Sequence, residues 1–288
     1  MAKTRISFEF FPPKNLPASF RLWDTVNALA PLEPEFVSVT YGAGGTTRKL
    51  THDAVDTIQK NYGLNVAAHL TCVDATAKET MEIARKYARN GVTDIVALRG
   101  DAPKASGEFQ AHPDGFKSSI ELITALAETG KFNIRVGAYP DRHPEAASDT
   151  TDVDWLKRKI DAGANSAITQ FFFEAETFFR FRDACADAGI SAPITPGILP
   201  IENFNGVAAF AKRCGTEVPE WLRMAFETAI RDDRHDLLAI AQCSELCTNL
   251  IEGGVDDLHF YTLNKPDLTR DVIRALDLAP EAALEKVA

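Results

Sequence analysis

The 288 residues predict an α/β chain folded as a single (β/α)8 barrel, with extra helices between strands seven and eight. Three observations lead there. Short β-rich runs alternate with amphipathic segments from end to end, which implies a parallel sheet. Eight such units fit the chain in one pass, the number of a closed barrel. No break in composition divides them, so a length that suggests about two domains at ~150 residues each is better spent on one barrel of ~250 residues or more. An open doubly wound sheet is the alternative, because strand count is easier to read than closure.

The units follow in order. Arg5–Phe11 reads as strand one and Phe20–Leu29 as its helix. Phe36–Tyr41 is strand two, and Leu50–Tyr62 is a helix that stops at Gly63. Asn65–Cys72 is strand three; Thr76-x-x-Glu79 has the spacing of a capping box, and its helix runs to the C-cap pair Asn90-Gly91. Asp94–Leu98 is strand four, followed by the Gly/Pro-rich loop Arg99–Gly115 and a helix opened by Ser118-x-x-Glu121. Asn133–Tyr139 is strand five, with a helix near Asp152–Ala162. Ser166–Phe172 is strand six, with helix Ala175–Ala188. Ala192–Gly197 is a weak, Pro-bearing strand seven, with Phe204–Cys214 as its helix. Pro219–Arg231 and Asp236–Ile251 read as a helical insertion, Asp257–Leu263 as strand eight and Pro266–Leu276 as the closing helix. Ala279–Ala288 reads as a loose tail.

Composition narrows the function. Lys+Arg number 31 against 41 Asp+Glu, a net charge of -10. That balance disfavours nucleic acid, whose binding rests on phosphate neutralisation, and anionic membrane surfaces. No apolar run approaches the ~20 residues of a membrane span. The start, MAKTRISFEFF, lacks the apolar core of a signal peptide, so a cytoplasmic protein is expected. Five cysteines without C-x-x-C predict reduced thiols. Cys243 and Cys247 stand i,i+4, but no His accompanies them, and no metal site is expected.

Barrel active sites lie at the carboxyl ends of the strands. Those ends are polar here: Glu9, Thr40-Tyr41, His69 and Thr71, Arg99-Gly100-Asp101, Tyr139 to His143, Gln170, His259 and Tyr261, then Asn264-Lys265. Glu9 sits among aromatic rings in SFEFFPP, where poor solvation raises a carboxyl pKa and suits it to general-acid work, unless the side chain points outward into a salt bridge. Gly42-Ala43-Gly44-Gly45 resembles a phosphate loop, yet Thr47 breaks the dinucleotide fingerprint. Arg99-Gly100-Asp101 offers a cation, a close backbone approach and an anion, or a salt-bridged turn. His69, on an apolar strand, is also read as a hydrogen-bonded core histidine. Trp155, Arg158 and Lys159 share a helix face; the two cations suit a phosphate or simply water.

These residues form longer motifs that resemble the methylenetetrahydrofolate reductase family: Ser7–Pro13, Val37–Gly45, His69–Cys72, Ala97–Asp101, Ala138–Ala146, Lys157–Phe173, Pro196–Pro200 and Phe260–Asn264. The chain is most similar to the short bacterial form, which lacks a regulatory domain. The resemblance implies a flavin barrel that reduces 5,10-methylenetetrahydrofolate to 5-methyltetrahydrofolate by ping-pong transfer through FAD. The electron donor is NADH, usual in short forms, or NADPH. It also implies a homo-oligomer, dimer or tetramer. By the same resemblance Glu9 and Asp101 are the catalytic carboxyls. Flavin contacts fall to Thr40, Tyr41, Ala43, His69, Arg99, Gly100, Asp101, Tyr139, His143, Ala146, Asp152, Trp155, Arg158 and Lys159. Substrate contacts fall to Glu9, Asp101, Gln170, Phe210 and Lys265. The chain departs from the family at Gly206, where a glutamine is expected, at Lys265 for arginine, and at Trp155 for a smaller polar residue. Contacts from the loop at 102–116 stay unassigned. Another flavin barrel, such as one oxidising proline, is the alternative enzyme, and Glu9 discriminates, since that reaction needs no acid at a folate nitrogen. A non-catalytic binding barrel is the third class; polar residues at nearly every strand end speak against it.

Overall fold

The computed structural model describes residues 4–41, 48–100, 110–143, 146, 148 and 151–280, Arg48 by its backbone alone. The elements run β1 (Arg5–Phe10), α1 (Leu16–Leu29), β2 (Phe36–Val39), α2 (Arg48–Tyr62), β3 (Val66–Thr71), α3 (Ala77–Arg89), β4 (Asp94–Leu98), α4 (Ser119–Ala127), β5 (Asn133–Ala138), α5 (Thr151–Asp161), β6 (Ser166–Thr169), α6 (Ala175–Asp187), β7 (Ile194–Thr195), β8 (Gly197–Ile198), α7 (Phe204–Cys214), α8 (Glu220–Arg231), α9 (His235–Glu252), β9 (Asp257–Tyr261) and α10 (Pro266–Ala275).

All strand pairs are parallel, in the order β7-β6-β5-β4-β3-β2-β1-β9-β8. β7 and β8 are the two halves of the expected strand seven. Pro196 separates them, because proline has no N–H to give a sheet ladder. One half pairs with β6 and the other with β9, so the strand bridges the two edges and the barrel is an eight-stranded one.

Helix starts follow their caps. Thr76 and Glu79 make both halves of the capping box on α3. Ser118 caps α4. α1 begins four residues before the expected Phe20, because Asn15 Oδ1 accepts from Ala18 N at 2.9 Å and Pro17 fits the first turn.

Strand alternation divides the interior in two. Ile6, Phe8, Phe10, Val37, Val39, Ile95, Ile134 and Val136 point outward into one continuous core beneath the helices. The opposite faces meet inside the barrel, where Phe36, Ala67, Val96 and Ile168 form a small apolar cluster. Barrel interiors are usually filled by Val, Ile and Leu. Here Ser7, Ser38, His69, Asp94, Ser166 and His259 are buried as well.

Two expectations are corrected. α7 is not the ring helix of strand seven: α9 packs against both α6 and α10 and fills that place. α7 and α8 are the additions, with Phe204 stacked on Phe226 and Phe210 on Phe171. The tail starts later than Ala279, which is buried and joins the core with Leu278.

Candidate active site

Glu9 lies on the inner face of β1, so the outward alternative falls away. Its Oε2 stands 3.2 Å from His69 Nε2 on β3 and accepts from Ser38 Oγ on β2 at 3.2 Å. His259 on β9 brings Nε2 to 4.0 Å, while its Nδ1 meets Ser7 Oγ at 2.8 Å. Strand register makes this meeting: Glu9 lies beside Ser38 and Tyr261, and Ser7 beside His259.

The ionisation expected of Glu9 is reversed. Burial does push the carboxyl upward, and is the largest single effect, but the imidazoles of His259 and His69 together outweigh it. The carboxyl is held at about 2, so Glu9 is an anion in this structure. His259, fully buried, is lowered chiefly by burial, against the pull of Glu9.

A cavity of about 380 Å³ opens at the carboxyl ends of β2 to β5, with Thr71, two residues beyond His69 on β3, in its wall. Tyr41, Arg99, Gly100, Tyr139, His143, Ala146, Asp152, Trp155 and Lys159 line it, together with residues outside the expected set: Thr71, Val73, Leu98, Gly137, Ser118, Ser119 and Thr151. Gly100 adopts φ +90°, and a Cβ there would come within 2.5 Å of Val73, so the wall requires glycine. Lys159 donates to Gly137 O at 2.7 Å from a partly buried position. Burial lowers its pKa to about 8, with Asp152 opposing and Arg99 adding to the fall. Asp152 Oδ2 accepts from His143 N at 3.0 Å, and the His143 ring meets Tyr139 edge-on at 4.5 Å. Arg158 is not among the lining side chains; its guanidinium lies 4.3 Å over the Trp155 ring. Arg99 and Lys159 against Asp152 leave the wall one positive charge in excess, which suits an anionic ligand.

The remaining expected residues spread around the mouth. Thr40 closes β2, its N–H bonding Phe10 O at 3.0 Å. Gln170 follows β6, its N–H bonding Ala138 O at 2.7 Å. Phe210 stacks on Phe171 with centroids 5.3 Å apart. Lys265 is exposed at the start of α10. Ala43, the rest of the glycine loop, and Asp101 lie outside the described residues. Ser7, Ser38 and His259 complete the Glu9 centre without having been singled out for it; their common signal is the inward position, two residues apart along each strand. Among the described residues no cluster of three His, Cys, Asp or Glu could hold a metal, and no helix is long and apolar enough to cross a membrane.

A (β/α)8 barrel with a buried carboxylate–imidazole centre at its carboxyl-end mouth, next to a cavity for an anionic ligand, has the build of a barrel enzyme. Comparison with known proteins narrows the class. The family model described as methylenetetrahydrofolate reductase matches residues 1–277. The chain is 42% identical over 282 residues to the 5,10-methylenetetrahydrofolate reductase of Pectobacterium carotovorum subsp. carotovorum, covering 98% of this chain and 93% of that one. It is 44% identical to that of Escherichia coli (strain K12) over 276 residues, 96% and 91% of the two chains. The probable methylenetetrahydrofolate reductase (NADH) of Oryza sativa subsp. japonica is 32% identical over 99% of this chain and 50% of its own. Among solved structures, an uncharacterized Clostridium thermocellum protein that binds two copies of 5-methyl-5,6,7,8-tetrahydrofolic acid shares the fold, with a TM-score of 0.62, 17% identity and coverage of 96% and 95%. The chain belongs to the methylenetetrahydrofolate reductase family and is an oxidoreductase.

Proposed function

We propose that this protein reduces 5,10-methylenetetrahydrofolate to 5-methyltetrahydrofolate with electrons from NADH, or NADPH, carried by bound FAD, in cytoplasmic one-carbon and methionine metabolism. The observation that carries the proposal is the placement of Glu9, inward at the barrel mouth and within 3.2 Å of His69, beside a cavity suited to an anion. FAD fits that cavity by its chemistry. Arg99 and Lys159 would hold its pyrophosphate, and Trp155 and Tyr139 would offer ring faces and edges. Tyr41, Gly100, His143, Ala146 and Asp152 complete the wall, while Arg158 backs Trp155. Thr40, His69, Ala43 and Asp101 keep the flavin-side positions that the family resemblance gives them.

FAD held there would supply the redox chemistry that links the nicotinamide to the folate. The protein supplies the proton and the geometry. Glu9 and His69 act as one acid: at 3.2 Å a proton held on the imidazole reaches the carboxyl directly. Glu9 passes that proton to the folate's bridging nitrogen, the five-membered ring opens, and a 5-iminium cation forms for reduction. The negative centre of Glu9 favours that cation, as would Asp101 in the role the family resemblance gives it. Gln170 and Thr40 orient whichever ring occupies the mouth. Phe210 covers it, and Lys265 meets the carboxylates of the folate tail. One mouth serves both substrates in turn, hence ping-pong kinetics. Trp221, Met224 and Leu237, large apolar side chains at 51%, 60% and 70% exposure, favour self-association into a dimer or tetramer.

Purified protein decides the matter. A yellow sample, bleached by anaerobic NADH and reoxidised by methylenetetrahydrofolate, is the expected result. A colourless protein that cannot be reconstituted with FAD overturns the proposal.

A further inference from the structure

Below Glu9 the barrel interior holds a charged layer that the proton donation above does not use. Arg135 on β5 and Asp94 on β4 pair at 3.1 Å, Nη2 to Oδ1. Asn133 Nδ2 donates to the same oxygen at 2.6 Å, and Thr93 Oγ1 donates to Oδ2 at 2.9 Å. The Arg135 guanidinium lies 4.0 Å from the centroid of the Phe36 ring. That ring in turn runs nearly parallel to the His259 imidazole, 5.5 Å between centroids at 11°. His259 Nε2 is buried, has no hydrogen-bond partner among the described residues, and faces Glu9 Oε2 at 4.0 Å.

A buried ion pair contributes little stability of its own, since desolvation offsets its attraction, and apolar replacements are often neutral or better. Conformational specificity is the better explanation here, because the chain of contacts ends on the reacting centre. We propose that Arg135, anchored by Asp94 and seated on Phe36, is a positioning residue for proton donation: it sets the ring against which His259 packs, and so holds Nε2 facing Glu9. This rests on the role of Glu9 given above.

Charge works in the same direction as geometry. His259 is faced by Ser7 and Glu9 from β1, Phe36 from β2, His69 from β3, Arg135 from β5 and Tyr261 from its own strand. Burial, then His69 and Arg135, oppose a proton on it, while Glu9 favours one. A neutral His259 leaves the Glu9–His69 proton free to move. A cation there would fix Glu9 as its anion.

The test uses two variants of the full chain. Arg135→Met combined with Asp94→Asn removes the ion pair without stranding a charge. Phe36→Leu removes the ring and leaves the pair. NMR of the His259 imidazole is followed against pH in each. In parallel, stopped flow follows reduction by NADH and reoxidation by methylenetetrahydrofolate. In the double variant His259 should titrate at higher pH than in the parent. In both variants reoxidation should slow about tenfold, as displacement of a reacting group entails, at unchanged folate KM. The loss in the double variant should be greatest on the acid side, where His259 is protonated. Reduction by NADH should be unchanged. A His259 titration and a pH profile that match the parent in both variants overturn the proposal, as does a loss equal at every pH in the double variant. A parent that NADH cannot reduce, or methylenetetrahydrofolate reoxidise, overturns the functional assignment instead, and the His259 titration still judges the role of Arg135.

Discussion

The side-chain amide of Asn264 pairs with the backbone of Phe11 as a neighbouring strand would. Phe11 N donates to Oδ1 and Nδ2 donates to Phe11 O, both at 2.9 Å. Thr262 Oγ1 donates to Glu9 O at 2.6 Å just before it. The chain beyond β9 thus clamps the end of β1 on which Glu9 rides. Leu263 and Asn264 sit at φ +50° and +54°, and of the two asparagine tolerates that region better.

Asn264→Ala removes both bonds and puts alanine at positive φ. The expected loss is about 1–3 kcal/mol from two stranded backbone groups, with further cost from the backbone. Denaturant unfolding measures it, and a midpoint equal to the parent's would show that the clamp holds nothing.

Glu9→Gln tests the acid. The amide fills the same space but carries no proton to give. Folate-dependent reoxidation should fall at least a hundredfold, in keeping with the usual contribution of a general acid, while NADH still reduces the protein. Full retention of folate turnover would exclude the assigned role.

Stability carries the same signature. Glu9 is held at about 2 against an ordinary 4.5, so its contribution is fully present above about pH 4.5 and is lost as pH falls toward 2. Glu9→Gln has no such dependence. Unfolding free energies measured across that window should therefore fall more steeply in the parent than in the variant; parallel curves would mean the carboxyl is not held down in the folded protein.

Eight βα units are legible in the chain because their punctuation is local. Thr76-x-x-Glu79 marks a helix start to the residue, and Phe204–Cys214 ends on Gly215 in the left-handed region. What stays hidden depends on distant partners. α7, α8 and α9 all carry apolar faces, and only packing on α6 and α10 decides that α9 completes the ring. The inward turn of Glu9 and its ionised state come from Ser38, His69 and His259, which belong to three other strands. A pattern read along one strand sees the aromatic neighbours and therefore predicts desolvation, but not the imidazoles.

Gly197 tests the closure of the barrel. A Cβ there would lie 2.2 Å from Thr169 O and 2.5 Å from the Tyr261 ring, whose hydroxyl donates to Thr169 O at 2.6 Å. Neither backbone nor buried ring can yield cheaply, so Gly197→Ala should cost roughly 3 kcal/mol or more and loosen the β6–β9 junction. Amide exchange at positions 197 and 261 would report it; unchanged protection would mean that the halves of the broken strand do not close the barrel.

Lys159 is the last test and bears on the anionic ligand. Its ammonium is partly buried against Gly137 O, and desolvation lowers its pKa to about 8, a cost that a bound pyrophosphate would relieve by supplying the missing negative charge. Two consequences follow for FAD added to ligand-free protein. Lys159→Gln should weaken binding by about ten- to hundredfold, the worth of one charge-assisted hydrogen bond. In the parent, affinity should fall as pH rises above about 8, because the free protein then gives up the proton that the complex retains; Lys159→Gln should lose that dependence. Fluorescence titration with FAD between pH 6.5 and about 9.5 reads both effects, the upper limit staying below the ordinary lysine range. If parent and variant bind FAD equally and with the same pH profile, Lys159 does not meet the cofactor, and the cavity beside Tyr139 would have to be given to another ligand.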